Sequence, residues 1–477
     1  MYRGAAAAHW WKKDIFMSST ELSHPEYRRD MGDGLVLRWG REGDLERITE
    51  LYGLVFRNAA DEPPNARLPL WAADTASGRH PLVDDIGDFA LVEDTRRGSI
   101  IAGLMMMRAT WEYAGIPFGV GRPEAVASHP EYRNRGLVRA IFELFHARSA
   151  ARGDLVQGIT GIPYFYRQFG YEYALDLGGG FNVYFSAVPK LKEGAVEPYR
   201  LRPATVADLA DVIMLYERER TRHHGGAPLL VSARIDSDYW RWIIAGQNVE
   251  SGEGWSTWLI VDERDRAAGY VLTRRLRWSD GVGVIGMSVE PGVSYAAVMP
   301  SVMRGLVALA PSIGMWRSDR PAPEPTKLVL RFGSEHPAYD VLAEGQRTPL
   351  DLPYAWYLRV ADLPAFLLRI APALERRLAG SPLAGHTGEL KLDFYRGGLR
   401  LVFANGRLTE AHDWRAPIWG DEAQGGFPQL VFLQLLFGYR SLRELRSSFP
   451  DVWAGDAAAP LLEALFPKQL SWAMPQD

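Results

Sequence analysis

Two stretches of the chain repeat each other, and this constrains the fold more than any other feature. Leu37, Arg38, Asp44, Leu45, Ile48, Leu51 and Tyr52 recur at constant spacing as Leu201, Arg202, Asp208, Leu209, Val212, Leu215 and Tyr216. Each copy reads as a strand, a loop with an aspartate near the helix start, and an amphipathic helix. A later strand echoes as well, since IIAGLMMMR (Ile100 to Arg108) resembles AAGYVLTRR (Ala267 to Arg275). Two related domains in tandem are the economical reading. The 477 residues, 47% of them hydrophobic, leave room for about three domains in all.

The first copy carries a distinctive segment, Glu124 to Phe142. A strand-like run leads into a tight turn, Arg133-Asn134-Arg135-Gly136, and then an amphipathic helix. A diphosphate needs convergent N–H donors and positive charge, which a helix N-terminus supplies through unpaired amides and its dipole. Gly136 lets the backbone approach phosphate oxygens closely. Leu137, Ile141, Leu144 and Phe145 repeat at helical spacing, so one helix face packs on a sheet while Arg139 and Glu143 face out. Alone, R-x-x-G-x-V is a loose pattern, and its context gives it weight. Leu155 to Thr160 reads as a strand, a short helix opens at Pro163, and a further strand runs around Tyr171 to Leu175.

That order of elements resembles the acyl-CoA N-acyltransferases of the GNAT superfamily, and the resemblance covers Leu35 to Leu175. The ending Phe165-Tyr166-Arg167-Gln168-Phe169-Gly170-Tyr171, the second copy and the total length resemble the Eis (enhanced intracellular survival) family of N-acetyltransferases. The resemblance implies an α+β chain: tandem GNAT-like mixed sheets, the second copy degenerate, plus a C-terminal α/β domain like sterol carrier protein. The expected divisions are an N-terminal extension at 1–34, partly disordered, a catalytic GNAT domain at 35–195, a degenerate GNAT domain at 196–352 and a sterol-carrier-like domain at 353–477.

In the second copy the place matching the phosphate turn reads Val289-Glu290-Pro291-Gly292-Val293-Ser294-Tyr295, without the arginines. Glu290 would repel a diphosphate, so acetyl-CoA, the expected acyl donor, is assigned to the first copy only. A composition shift near Pro349 to Pro353 opens the third unit. A helix-rich opening is expected over Tyr357 to Leu378, strands at Glu389 to Tyr395 and Leu399 to Ala404, an Asn405-Gly406 hairpin turn, a strand at Arg407 to Ala411, and apolar helices at Phe427 to Leu436 and Leu461 to Leu465.

Aminolysis of a thioester requires the thioester to be held, its oxygen polarised and protons moved. Val126, Ala127 and Ser128 would offer backbone amides to the pantetheine arm and thioester carbonyl, with Val126 N–H as oxyanion donor. The cofactor-binding set is completed by Arg133, Asn134, Arg135, Gly136, Leu137 and Val138. Tyr166 matches the tyrosine that the family motif implies as general acid, and a phenol near pKa 10 can protonate a departing thiolate. Tyr164 and Tyr171 are read as structural. Two candidates for the base stay open. The family resemblance implies the terminal carboxylate, here at Asp477 after the apolar run LFPKQLSWAMPQD. Its rival is Glu124, which in a regular strand shares a face with Val126 and Ser128. Trp39 and Glu124 are candidates to line the amine pocket.

A net charge of −4 and a pI near 6.2 argue against nucleic acid or an anionic membrane as partner. With no cysteine, disulfides, thiol nucleophiles and thiolate metal sites are ruled out. His129 and the His223-His224 pair lack metal-ligand spacing, so no metal is expected. No apolar run is long enough to span a bilayer, and a cytoplasmic protein is expected. Activity should be acetyl transfer to a primary amine: a small polyamine, an aminoglycoside-like compound or a lysine side chain. A non-catalytic lipid-binding or assembly protein, or transfer of another acyl group, is the alternative. The family resemblance implies a homo-oligomer, a hexamer.

Overall fold

The computed structural model describes residues 19–57, 59–224, 226–316, 323–417 and 422–474. The first sheet contains β1 (Arg28–Asp30), β2 (Leu35–Trp39), β3 (Phe89–Asp94), β4 (Ser99–Tyr113), β5 (Ile116–Ser128), β6 (Val156–Ile159) and β7 (Glu172–Leu177). They lie in sequence order, except that the strand Tyr354–Val360 is inserted between β6 and β7. It pairs antiparallel with both. The helices are α1 (Ser19–Ser23), α2 (Leu45–Val55), α3 (Leu68–Ala76) and α4 (Leu137–Ala151). The alternating side chains of β4 sort the core. Leu104 and Met106 pack with α4 residues Leu137, Ile141, Leu144 and Phe145, whereas Met105 and Met107 pack with Ile48, Leu51 and Trp71 on the other face. Arg139 and Glu143 are exposed.

Two expectations need correction here. Residues 28–30 are not part of a loose extension, because β1 forms the sheet edge, with Arg28 opposite Arg38 and Asp30 opposite Val36. Residues 1–18 lie outside the described residues. The helix-rich opening of the third unit starts with a strand, Tyr354–Val360, and its helix runs only over Leu363–Ala379. That strand buries Trp356, Tyr357 and Leu358 in the first sheet, so it crosses the expected division at 352/353. Pairing over such a sequence distance leaves no local signal.

A second sheet runs in the order Phe181–Tyr184, Lys327–Leu330, Gly281–Val289, Ala267–Arg274, Trp255–Asp262 and Tyr199–Pro203. The repeat is realised in atoms. Arg38 Nη1 and Nη2 donate to Asp44 Oδ2 and Oδ1 at 2.6 and 2.9 Å, and Arg202 makes the same fork with Asp208 at 2.9 and 2.8 Å. Such bidentate pairs fix the aspartate loop against its strand. The two copies share a core, in which Tyr52, Met105 and Ala127 join Tyr216, Trp240 and Leu272. The last sheet is ordered Arg407–Asp413, Gly398–Ala404, Gly388–Asp393, Gly425–Gly426 and Trp453–Ala454. Its first hairpin turns at Asn405 and Gly406, both with positive φ, as the Asn-Gly pair leads one to expect. Leu363–Ala379 covers this sheet. No helix among the described residues is long and apolar enough to cross a membrane.

Candidate active site

The site begins where two neighbouring strands part. β5 and β6 run parallel but pair only at Val120 with Val156 and Gly121 with Gln157. Beyond that point β5 continues to Ser128 with only β4 beside it, which opens a V-shaped gap between β5 and β6. Ala125 lies at φ 48°, where L-residues are rarely found, and the register with β4 jumps from Gly103 opposite Ala127 to Met105 opposite Glu124. This is a β-bulge, and it re-aims the strand. The expectation that Glu124, Val126 and Ser128 share one face is corrected accordingly. Val126 packs toward α4, while Glu124 and Ala125 line a cavity on the opposite side.

The turn after β5 leads into α4 through Gly136 at φ 76°. A Cβ there would meet no atom within 4 Å, so glycine is needed for the left-handed backbone and the space in front of it is open. The backbone amides from Asn134 through Arg139 donate to no protein acceptor among the described residues. Arg133, Asn134 and Arg135 are exposed, Leu137 is buried in the core below and Val138 is half-buried. Arg135 pairs with Asp33 at 2.9 Å, and Tyr132 beneath the turn donates to Asp94 at 2.7 Å. That hydrogen bond, before the Arg96 contacts, holds the Asp94 carboxyl down at about 2. Six free amides, a helix N-terminus and exposed arginines fit the diphosphate of acetyl-CoA.

Tyr166 opens a 3-10 turn, Tyr166–Phe169, that ends at Gly170 with φ 88°. The short helix therefore starts later than Pro163. The ring is only 4% exposed and packs against Phe142 and Tyr357. Burial pushes the Tyr166 hydroxyl well above the usual tyrosine range, aided by the charge of Glu124 and by Tyr354. It stays protonated through neutral pH, as a proton donor must. A cluster of phenols holds the preceding loop: Tyr357 donates to Tyr173 at 2.7 Å, Tyr354 donates to Gly161 O at 2.9 Å, and Tyr164 N donates to Tyr173 at 3.1 Å. Tyr171 is buried, with its hydroxyl 2.9 Å from His146 Nε2.

Glu124 and Ala125, with Thr160 just past β6, form one wall of a cavity of about 510 Å³ between the two copies. Glu124 forms an ion pair with buried Arg122. Leu470 to Met474 form another wall. Trp472 N donates to Val231 O and Trp356 Nε1 to Ala473 O, each at 2.8 Å, which anchors this tail. Asp477 lies outside the described residues. Trp39 is a correction, since it is buried on the α4 side, donates to Leu22 O at 2.9 Å and has the Arg148 guanidinium over its ring at 3.3 Å, so it does not line the cavity. Sequence reasoning missed Asp176 and the indole walls from Trp71, Trp255, Trp278 and Trp316. These residues come from distant parts of the chain, and no local spacing announces them.

Residues 37–174 match the acetyltransferase (GNAT) domain family. This segment is a GNAT domain. The chain is an acyltransferase, and domains of this family take acetyl-CoA as acyl donor. Similarity in fold extends past the GNAT domain to nearly the whole chain. A GCN5-related N-acetyltransferase from Anabaena variabilis is 16% identical, with a TM-score of 0.61 over 92% of this chain and 99% of that one. One from Kribbella flavida is 19% identical, with a TM-score of 0.59 over 93% and 98%. Eis1 from Mycobacterium abscessus is 13% identical, with a TM-score of 0.56 over 92% and 99%. No curated protein matches the sequence.

Proposed function

We propose that the GNAT domain transfers an acetyl group from acetyl-CoA to a primary amine by direct attack in a ternary complex. The observation that carries this reading is the run of free amides at the left-handed Gly136, beside the gap between β5 and β6. The diphosphate sits on Arg133 to Val138 and the pantetheine arm lies in the gap along Val126, Ala127 and Ser128. The bulge at Ala125 turns the amide of Val126 toward the thioester oxygen. The amine nitrogen, arriving through the cavity, attacks the thioester carbon. The C–S bond then breaks, and Tyr166 gives its proton to the departing thiolate. The proton lost by the amine goes to Glu124 or to the carboxylate terminus at Asp477, the two candidates that border the cavity or follow its wall. Glu124 has support from its place beside the bulge, and the terminus from the place of Leu470 to Met474 in the wall, where Trp472, Ala473 and Met474 are buried.

The same reading makes the chain Eis-like: a catalytic unit, a degenerate copy without acetyl-CoA, and a sterol-carrier-like unit that lends Tyr354–Val360 to the first sheet. Its support is the full-length likeness to Eis1 together with the tandem sheets. A homo-oligomer belongs to this reading, and light scattering tests it. Calorimetry with acetyl-CoA, followed by a thiol-release assay with primary amines, tests the activity. One cofactor per chain and amine-dependent thiol release are expected. Absence of acetyl-CoA binding, or binding with no release for any amine, overturns it.

A further inference from the structure

The loop before Tyr166 is held in a costly shape. Residues 160–171 carry the chain from β6 to β7, crossing the end of the inserted strand where Tyr354 and Tyr357 lie. Tyr164 sits at φ 64°, in the left-handed region that a residue with a side chain enters only at a cost. Such strain persists where surrounding contacts over-determine the backbone. Gly161, at φ 120°, brings the loop against the hydroxyl end of Tyr166, since a Cβ there would stand 3.8 Å from both Cε2 and the hydroxyl oxygen. No hydrogen bond among the described residues involves the Tyr166 hydroxyl. Its position is set by ring contacts and by the loop.

The contacts that hold the loop come from far along the chain. Tyr354, 193 residues beyond Gly161, gives its one phenolic proton to Gly161 O at 2.9 Å. Tyr173 must then donate across the 3.2 Å to Tyr354. Tyr173 in turn accepts from the Tyr357 hydroxyl at 2.7 Å and from Tyr164 N at 3.1 Å. Tyr357 also faces Ile162 O at 3.3 Å. Each phenol thus spends its proton once, and the bonds converge on the strained loop. The Tyr357 ring stacks on Tyr173 with centres 4.2 Å apart, and meets Tyr166 edge-on at 5.5 Å. The first copy adds a tie of its own in Arg167, which donates to the Tyr164 hydroxyl at 2.6 Å and pairs with buried Glu172 at 2.7 Å.

We propose that Tyr354 and Tyr357, on the strand that the third unit lends to the first sheet, are positioning residues for acetyl transfer: their hydroxyls hold the loop that places Tyr166 against the departing sulfur. This rests on the reading of Tyr166 as general acid. The third unit is then part of the catalytic apparatus, because a shift of about 1 Å in a reacting group can cost about 100-fold in rate.

The experiment compares the full chain with a Tyr354→Phe/Tyr357→Phe variant, each with and without Tyr166→Phe. Phenylalanine keeps the rings and removes only the hydroxyls. Single-turnover thiol release is read with spermidine, kanamycin and N-α-acetyl-lysine, using whichever reacts fastest, and hydrogen exchange is read on peptides covering 160–171. The double variant should release thiol about tenfold more slowly at saturating acceptor, with acetyl-CoA affinity unchanged. In the Tyr166→Phe background the same two substitutions should cost about twofold or less, since the group they position is gone. Exchange in the loop should quicken by about fivefold or more. A double variant with unaltered release, an equal loss in both backgrounds, or unaltered exchange overturns the proposal. Unaltered release by that variant with slow release by Tyr166→Phe would remove the proposal and leave the general acid in place. Normal release by Tyr166→Phe alone would remove the general acid, and the proposal with it. Release with none of the three amines would count against the transferase reading, and the exchange rates would still decide whether the tyrosine pair holds the loop.

Discussion

The two copies of the repeat share their framework and differ at the strand ends. Both hold an Arg–Asp fork behind the first strand, and both place a long helix after the strand that follows the central hairpin. In the first copy that helix starts at a left-handed glycine with six free amides in front of it. In the second the turn closes on itself, with Val293 N donating to Glu290 O at 3.0 Å, and Glu290 supplies a negative charge. The parallel strands part after two register pairs in the first copy and hold for four in the second. The tyrosines differ too. No hydrogen bond involving the Tyr166 hydroxyl is found among the described residues, whereas that of Tyr339 accepts from Phe332 N at 3.0 Å. A framework set by core packing and one ion pair is therefore kept in both copies, while the features on which the proposed acetyl-CoA site rests differ at a few backbone and side-chain positions.

The strongest way to break this comparison is a matched pair of substitutions. Gly136 and Gly292 have φ of 76° and 84°, and a Cβ at either would meet nothing within 4 Å. Gly136→Asp puts a carboxylate at the proposed diphosphate position, and like charges brought together cost several kcal/mol, so acetyl-CoA affinity should fall about 100-fold or more. Gly292→Asp suffers the same backbone strain and should leave affinity and a stoichiometry of one unchanged. Calorimetry reads both, and equal effects would remove the difference between the copies.

Tyr166→Phe should lower turnover by about 100-fold with acetyl-CoA affinity retained, because the thiolate loses its proton donor. Tyr339→Phe removes a hydrogen bond from a buried amide and should cost about 1 kcal/mol of stability without touching turnover. A Tyr166→Phe enzyme with near-normal turnover in single-turnover kinetics would return Tyr166 to a packing role. Glu124→Gln comes next, with an expected loss of about tenfold to 100-fold at neutral pH and partial recovery in alkali, where more amine arrives deprotonated. If residues appended after Asp477 suppress activity while Glu124→Gln does not, the base is the terminal carboxylate.

The sequence made the repeat, α4 and its packing face legible because each rests on local periodicity. Leu137, Ile141, Leu144 and Phe145 are all buried as the spacing required. The Gly136 turn was legible because glycine marks positive φ. Ala125 was not, since alanine gives no sign of a left-handed bulge, and with regular alternation assumed Glu124 and Val126 fall wrongly on one face. Trp39 misled for the opposite reason: it sits at a strand end of the right domain, but the side it faces is set by pairing with β3. The insertion of Tyr354–Val360 and the gathering of tryptophans around the cavity are products of long-range packing.

The smallest effect sharpens the likeness between the copies. Arg202 holds the Asp208 carboxyl below the ordinary aspartate range, mainly through its hydrogen bonds and against the opposing effect of burial. A carboxylate whose pKa is depressed on folding stabilises the fold above its unfolded value, near 4, and loses that contribution as pH falls toward the folded value. Arg202→Ala should therefore lower stability by roughly 1 kcal/mol or less at pH 7, since the pair is partly exposed. The gap between the variant and the unmodified chain should persist to about pH 5 and narrow below pH 4. Thermal unfolding at pH 7, 5 and 3 reads it. The first copy is a poorer probe of the same linkage, because Asp44 is buried and also pairs with Arg47, so truncating Arg38 leaves a second cation on the carboxylate and mixes a desolvation cost with only part of the attraction. A gap that stays constant down to pH 3 would mean that the Arg202–Asp208 fork contributes through packing of the arginine stem, and the shared ion pair would then be a relic of the repeat with no electrostatic role in the second copy.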